Sequence, residues 1–128
     1  DMIGRNQLDS AALLGASPPH MNSLDLVQMA LEANSEGPKF LIDTLWDKPS
    51  HPEYFYFRSD HLPYARLGIP AIYFTSTLHK DYHTPMDEAS RIDIQKLTRM
   101  TQWIYRSGWK AANHFTRPKF EKNFKLER

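Results

Sequence analysis

The residues of this chain with the greatest capacity for chemistry are concentrated in one run, residues 81–87. The run holds a phenol at Tyr82, an imidazole at His83, and carboxylates at Asp81 and Asp87. The chain has no cysteine, so any metal site must be built from His, Asp and Glu, and this run supplies such groups. It follows an apolar segment that predicts a buried strand, and an α/β sheet presents its chemistry at strand ends. The run is therefore predicted to be a functional loop.

Composition restricts the classes of protein to which the chain can belong. Its 128 residues suit a single domain, and a hydrophobic fraction of 41% is enough for a core. The 16 Lys and Arg balance 15 Asp and Glu, so there is no electrostatic case for binding nucleic acid or an anionic membrane. No apolar run approaches the roughly 20 residues that a membrane-spanning helix needs. The lack of cysteine excludes disulfides, thiolate metal sites and cysteine nucleophiles.

Apolar periodicity and turn residues predict six elements that alternate between strand and helix. Asn22 or Ser23 can cap the first helix and Asp93 the last, while Gly37 and Gly68 end helices. The predicted elements are a strand within 9–17, a helix to about residue 34, strand 40–42, short helix 63–67, strand 69–75 and a long helix to about residue 113. The last of these strands is almost continuously apolar, which is typical of a strand covered on both faces. The alternation predicts α/β layers in which helices cover a sheet.

Helical spacing also predicts which side chains face the core. The predicted core positions are Leu24, Val27 and Leu31 on the first helix, and Leu97, Met100, Ile104, Ala111 and Ala112 on the last. The aromatic run 54–57 is predicted to pack in the core rather than to line a pocket. The domain is predicted to span residues 1–115, and the charged segment 116–128 is predicted to be a peripheral tail.

The remaining polar residues are assigned structural roles. We predict that His61 is a hydrogen-bonded structural histidine and that Arg5 is a surface cation. The other histidines outside the functional loop lie in loops or at helix ends and are predicted to be solvated. They are His20, His51, His79 and His114.

Three short motifs in a fixed order carry a resemblance to a known family. They are residues 1–4 (Asp-Met-Ile-Gly), residues 59–64 (Ser-Asp-His-Leu-Pro-Tyr) and residues 82–87 (Tyr-His-Thr-Pro-Met-Asp). With these motifs, residues 1–113 resemble the C-terminal part of the zinc-dependent aminopeptidases that use two co-catalytic metals. That family includes the bacterial leucyl aminopeptidases, with glutamate carboxypeptidase II and glutaminyl cyclase as more distant members.

The resemblance implies a fold and a metal site. The fold is a three-layer α/β/α zinc-exopeptidase-like sheet with covering helices, of which this chain holds the C-terminal portion. The family binds two zinc ions through five protein residues, and by its pattern Asp1 ligates one ion and His83 the other. The first His, the bridging Asp and a Glu pair that includes the general base have no counterpart among the 128 residues. The resemblance therefore implies that the chain begins inside an active site and is inactive alone.

Three further residues receive roles from the resemblance. In peptidases of the family, a Tyr at the position of Tyr82 points its hydroxyl at the oxyanion of the tetrahedral intermediate. Asp60 falls where the family has an acidic residue close to the active site, so it is a candidate to contact the substrate amine or to support the site. Asp87 either accepts a hydrogen bond from the second ring nitrogen of His83 or caps a local turn.

The function that the resemblance implies is that of a secreted metallo-aminopeptidase, an enzyme that hydrolyses N-terminal peptide bonds through a metal-bound hydroxide. Its partners would be peptide substrates, and its location would be extracellular or periplasmic. One rival is an aminoacyltransferase of the glutaminyl cyclase type, which carries Trp where this chain has Tyr82. The other is a non-catalytic peptidase-like binding domain, as in the transferrin receptor ectodomain. Retention of Asp1, Asp60, Tyr82 and His83 together argues against this second rival for the parent protein.

Overall fold

Strands and helices alternate along the chain, as the sequence predicts. The computed structural model describes residues 1–127. The elements are β1 (Ser10–Leu14), α1 (Leu24–Glu36), β2 (Leu41–Asp43), α2 (His61–Arg66), β3 (Tyr73–Thr75) and α3 (Ile94–Ala112), with 3₁₀ turns at Leu45–Asp47, Phe55–Phe57 and Ala89–Arg91. The caps are also as predicted, because Ser23 accepts from the backbone N–H of Leu26 and Asp93 from that of Lys96. Within residues 1–127, no helix is both long and apolar enough to cross a membrane.

The sheet has three strands in the order β2-β1-β3, so β1 is central. β1 pairs in parallel with β2 and antiparallel with β3, with Ala11 opposite Ile42 and Leu13 opposite Phe74. Successive side chains of β1 point to opposite faces and both faces are covered, so the strand is apolar throughout. The fold class is therefore confirmed as a mixed α/β domain with a sheet between helices.

β3 is shorter than the predicted strand 69–75 and lies at an edge of the sheet. Only Tyr73–Thr75 pair with β1, and the strand runs antiparallel to it. Pro70 has no backbone N–H with which to extend the ladder. The Asn22 side chain instead satisfies Ala71, donating to its carbonyl at 2.7 Å and accepting from its N–H at 2.9 Å. One amide side chain thus replaces the strand partner that the prediction assumed.

One face of β1 packs against α1 and α3. Ala11 and Leu13 meet the buried side chains of Ala30, Met100 and Trp103, and the Trp103 indole N–H donates to the Ala30 carbonyl at 2.7 Å. The predicted core faces of both helices are rotated from the observed ones. On α1, Leu24 and Leu31 are each 43% exposed, while the buried residues are Val27, Met29, Ala30, Ala33 and Asn34. On α3, Ala112 is exposed, and the buried residues are Lys96, Met100, Trp103 and Ser107.

The rotation has a physical cause in small residues and in one buried lysine. Ala30 and Ala33 let the two helices approach closely, which places the large Trp103 ring between them. Lys96 is buried because its ammonium donates to the carbonyls of Gln7 and Ser10 and lies 4.6 Å from the centre of the Phe40 ring. Burial lowers the pKa of Lys96 to about 8. A prediction from apolar residues alone leaves Lys96 out of the core, and it therefore places the core face of α3 wrongly.

The other face of β1 is covered by aromatic residues. Ala12 and Leu14 pack with Phe55, Tyr56 and Leu62, the last of which comes from α2. Phe55 and Tyr56 are fully buried, as predicted for the aromatic run 54–57, whereas Phe57 is half-buried and Tyr54 is exposed. The chain therefore has helices on one side of the sheet, and aromatic turns with a short helix on the other.

A buried carboxylate, Asp47, closes the turn that follows β1. It accepts hydrogen bonds from the backbone N–H groups of Gly15, Ala16 and Ser17, each at 3.0 Å. It also lies 3.2 Å from a ring nitrogen of His20. Nothing local in the sequence indicates this role of Asp47, because its backbone partners lie 30–32 residues earlier in the chain.

His20 is buried, so the prediction that it is solvated is wrong. Its ring stacks on Tyr56 with 4.2 Å between centroids, and its second nitrogen lies 2.8 Å from the Glu127 carbonyl. Burial alone would lower the pKa of His20, but the Asp47 carboxylate and the Glu127 carbonyl outweigh it and raise the pKa. The stabilisation from this ring is complete below its ordinary value of 6.5 and is lost as pH rises through the raised pKa.

The charged tail is attached to the body by backbone hydrogen bonds, and the division of the chain at residue 115 stays a prediction. The backbone N–H of Glu121 donates to the Asn22 carbonyl at 2.8 Å, and that of Lys125 donates to the Pro19 carbonyl at 2.9 Å. Phe124 packs against the aromatic side of the core. Residue 128, the last of the predicted tail, lies outside the described residues.

Replacing His61 by phenylalanine is expected to make the fold less sensitive to acid. Burial lowers the pKa of His61 to about 4 from an ordinary 6.5, so the folded chain holds this ring neutral. Its contribution to stability is complete above pH 6.5 and is lost as pH falls from 6.5 towards 4. The free energy of unfolding in urea, measured near pH 7.5 and near pH 4.5, should fall more for wild type than for His61→Phe. His114→Phe, changed at an exposed position, is the control, and equal falls in wild type and His61→Phe would contradict the prediction.

Candidate functional site

The three motifs of the sequence meet at the C-terminal end of β3. The Asp1 amino group donates to the Phe74 carbonyl at 3.1 Å, and the Ser76 N–H donates to the Met2 carbonyl at 2.8 Å. Residues 1–4 form no regular strand, because Met2 has a φ of 50°. They nevertheless run beside the end of β3 and bring Asp1 to Phe74 and Ser59.

The second motif lies next to Asp1. The Ser59 hydroxyl donates to the Asp1 carboxylate at 3.2 Å. Asp60 occupies the N-terminal cap of α2, where its carboxylate makes no capping hydrogen bond and is exposed. Burial lowers the pKa of the Asp1 amino group, and the nearby Asp60 carboxylate opposes that shift. Two carboxylates, those of Asp1 and Asp60, therefore face solvent at the same place.

The third motif presents Tyr82 and His83 as a stacked pair. Their rings are 3.8 Å apart between centroids and 18° from parallel. His83 is exposed and has a φ of 55°, a strained conformation for a residue other than glycine, and strain of this kind concentrates at functional positions. Among the described residues, the His83 imidazole makes no hydrogen bond, so both ring nitrogens are available to a ligand.

Local hydrogen bonds shape the loop around this pair. The N–H and the hydroxyl of Thr84 both donate to the Asp81 carbonyl, at 3.0 and 2.8 Å, and the Tyr82 N–H donates to the His79 carbonyl at 3.0 Å. The Thr84 hydroxyl also accepts from the Met86 N–H at 3.2 Å. A tight turn held by these bonds accounts for the positive φ of His83.

An ion-pair network lies behind the loop. The Arg5 guanidinium donates to Asp81, which is almost fully buried, and to Asp87, the latter at 2.8 Å. Arg91 also reaches Asp81, at 3.2 Å. Burial alone would raise the pKa of Asp81, but the hydrogen bonds from Arg5 and Arg91 together hold it below its ordinary value. The side chain of Arg5 is only 13% exposed, so the prediction that it is a surface cation is wrong.

Asp87 belongs to this network. Its carboxylate binds Arg5 and lies 3.6 Å from a ring nitrogen of His79. Among the described residues it makes no hydrogen bond or ion pair with His83, so the contact that would fix the His83 tautomer is not present. His79 is buried rather than solvated, and its other ring nitrogen has no hydrogen-bond partner in the described part of the chain.

His61 is a structural residue, but ring packing rather than hydrogen bonding holds it. It stacks on Tyr73 at 5.1 Å between centroids and meets the edge of Tyr56 at 4.6 Å. Within residues 1–127, neither of its ring nitrogens has a hydrogen-bond partner. The hydrogen-bonded part of the prediction is therefore wrong.

The donors at this end of the sheet suit a zinc ion in their chemistry. The carboxylate of Asp1 and the imidazole of His83 are oxygen and nitrogen ligands of the kind that open zinc sites use, and both are exposed. The described residues contain no group of three or more His, Cys, Asp or Glu placed to hold a metal ion. Asp1 and His83 are therefore candidate donors, and the described residues do not form a closed metal site.

The sequence did not indicate the contacts of Arg5, His79 and Asp81, although it placed Asp81 in the functional loop. Two of them stood inside or beside a motif, Arg5 directly after residues 1–4 and Asp81 directly before Tyr82. Opposite charges that immediately flank two motifs were the available signal. No local pattern pointed to His79, because its partner is set by the fold.

The comparisons with known proteins identify one family. A family model described as peptidase family M28 matches residues 10–107, more than half of the chain. The match includes Asp60, Tyr82, His83 and Asp87, and it starts after Asp1. No curated protein and no solved structure matches the chain.

Proposed function

This chain belongs to peptidase family M28, a family of metal-dependent peptidases, and on that premise we propose that it is part of a zinc-dependent aminopeptidase that hydrolyses N-terminal peptide bonds. The observation that carries the proposal is the meeting of three separate motifs at the end of β3. There Ser59 of the second motif contacts the Asp1 carboxylate, and the third motif presents Tyr82 stacked on the exposed His83 in the loop that follows β3. Residues of the protein outside these 128 would supply the other metal ligands and the general base.

Two zinc ions, one held by Asp1 and the other by His83, would polarise the substrate carbonyl and lower the pKa of a water molecule. We propose that Tyr82 acts on the same carbonyl, and the stacking of its ring on the His83 ring supports this role. A hydroxyl that donates to the oxyanion stabilises the transition state more than the ground state. Tyr82 is therefore the residue of this chain that we assign to oxyanion stabilisation.

Asp60 is assigned to the substrate's amino group. Its carboxylate is exposed and makes no capping hydrogen bond. A free carboxylate next to the metal donors would favour substrates that present a charged N-terminus. This preference separates an aminopeptidase from a peptidase that cuts within a chain.

The experiment compares leucine-p-nitroanilide with N-acetyl-leucine-p-nitroanilide as substrates of the protein that contains this chain. We expect hydrolysis of the free-amine substrate only, inhibition by 1,10-phenanthroline, and recovery on addition of Zn²⁺. Equal cleavage of both substrates would contradict the aminopeptidase assignment. The 128 residues alone are expected to show no hydrolysis.

The same assay discriminates the two rivals. Cyclisation of an N-terminal glutamine peptide without hydrolysis would identify the cyclase-type aminoacyltransferase, against which Tyr82 argues. Absence of both reactions in the zinc-loaded protein would identify a binding domain. An extracellular or periplasmic location stays a prediction, which fractionation of expressing cells would test.

A further inference from the structure

We propose that Arg5 is a positioning residue. It clamps residues 1–6, the Asp1 segment, to the functional loop that carries Tyr82 and His83, and so sets the relative placement of the two proposed metal donors, Asp1 and His83. The inference rests on the proposed function for its consequence in catalysis, but the clamp itself is a property of the chain. The clamp is the guanidinium of Arg5 with its two partners, the carboxylates of Asp81 and Asp87.

The partners of Arg5 bracket the functional loop. Asp81 directly precedes Tyr82, and Asp87 ends the same motif, so one guanidinium binds both ends of the loop. Arginine suits this task because its planar fork presents several N–H donors in fixed directions. Lysine has one ammonium centre and cannot present the same geometry. The two ends of the loop are therefore held at a separation set by a rigid group.

The backbone of Arg5 is itself fixed by neighbouring contacts. The Asp93 N–H donates to the Gly4 carbonyl at 2.9 Å, at the start of α3. A Cβ atom at Gly4 would lie 2.8 Å from a methyl carbon of Ile92, so only glycine allows this close approach. The Arg5 guanidinium thus extends from a backbone that is hydrogen-bonded to the start of α3. Its ion pairs therefore link the functional loop to a fixed part of the structure.

Arg5 completes a set of contacts between the Asp1 segment and the loop. The Asn6 side chain donates to the carbonyls of Ser76 and Leu78, at 2.7 and 2.9 Å, and so holds residues 76–78, which precede the functional loop. Arg5 holds the part that carries Tyr82 and His83. Without Arg5, the hydrogen bonds of Asn6 would hold only residues 76–78, which lie before His83 in the chain.

Arg91 provides a natural contrast. It also pairs with Asp81, at 3.2 Å, but its side chain is 34% exposed. It comes from the 3₁₀ turn that follows the loop, and it bonds neither Asp87 nor the Asp1 segment in the described structure. Arg91 can therefore neutralise Asp81 without joining the two donor segments, which makes Arg91→Met the matched control.

The first measurement is hydrogen exchange of the Tyr82, Thr84 and Asp87 amides in the 128-residue chain without metal. Arg5→Met is expected to speed their exchange at least about tenfold relative to the amides of α3, and Arg91→Met less than about threefold. Arg5→Lys should fall between wild type and Arg5→Met, and it takes the place of Arg5→Met should that variant fail to fold. Unchanged loop protection in Arg5→Met, or an equal effect of Arg91→Met, would overturn the proposal.

The second measurement is zinc affinity and kinetics in the protein that contains this chain. We expect Arg5→Met to weaken zinc binding by about 10–100-fold and to lower kcat more than it raises KM, because the donors are displaced rather than removed. Full zinc affinity and kcat in Arg5→Met would overturn the positioning role. A loosened loop in Arg5→Met, with no zinc bound by wild type, would instead preserve the clamp and overturn the proposed function.

Discussion

Replacing Tyr82 by phenylalanine is expected to lower kcat for peptide hydrolysis by about 10²–10³-fold, equivalent to roughly 2.7–4 kcal/mol of transition-state stabilisation. The change removes only the hydroxyl, and the stacking of the ring on His83 at 3.8 Å can persist. Zinc content and KM should therefore change little, because the hydroxyl acts on charge that develops in the transition state. Steady-state kinetics with leucine-p-nitroanilide and metal analysis of the same preparation measure the effect.

The matched control is Tyr105→Phe, the same chemical change at an exposed position on α3. It should leave kcat, KM and zinc content unchanged. A Tyr82→Phe enzyme with wild-type kcat would remove Tyr82 from the mechanism. A Tyr82→Phe enzyme that had lost its zinc would assign Tyr82 a structural role beside His83 rather than a role in oxyanion stabilisation.

Replacing Asp47 by alanine is expected to lower the free energy of unfolding by about 3–5 kcal/mol. The substitution leaves the N–H groups of Gly15, Ala16 and Ser17 without their acceptor, and it removes the carboxylate beside His20. A loss of this size is a large part of the stability of a small domain. Urea unfolding followed by fluorescence measures it.

Two variants make this result interpretable. Asp47→Asn keeps one side-chain acceptor and should lose less stability than Asp47→Ala. Asp9→Ala removes an exposed carboxylate that pairs with Arg99 at 2.7 Å, and it should cost no more than about 1 kcal/mol. Similar losses for Asp47→Ala and Asp9→Ala would show that the buried carboxylate is not what closes the turn after β1.

The features that the sequence predicted well are those set by local chemistry. Ser23 and Asp93 cap their helices because a short polar side chain can reach an N–H two or three residues ahead, and this depends on nothing distant. β1 was predictable because five consecutive residues are small or apolar and suit a strand buried on both faces. The burial of Phe55 and Tyr56 was predictable because they belong to a run of four aromatic residues.

The features that it missed depend on partners that are far apart in the chain. Asp47 acts on a turn about 30 residues earlier, and Arg5 binds a carboxylate more than 70 residues later. The rotated face of α3 follows from Lys96, whose ammonium finds backbone carbonyls near β1. Each of these polar groups is buried only because the fold supplies its partner. The convergence of the motifs was predictable in outline from their order, whereas the network that joins them was not.

The proposed role of His83 as a metal donor is tested by the zinc stoichiometry of the protein. The protein that contains this chain is expected to bind two zinc ions and hydrolyse leucine-p-nitroanilide, whereas His83→Ala should lose one ion and the activity. His114→Ala, at an exposed position, should keep both. If His83→Ala retained two zinc ions and wild-type hydrolysis, His83 would not be a ligand and the site proposed at the end of β3 would be wrong.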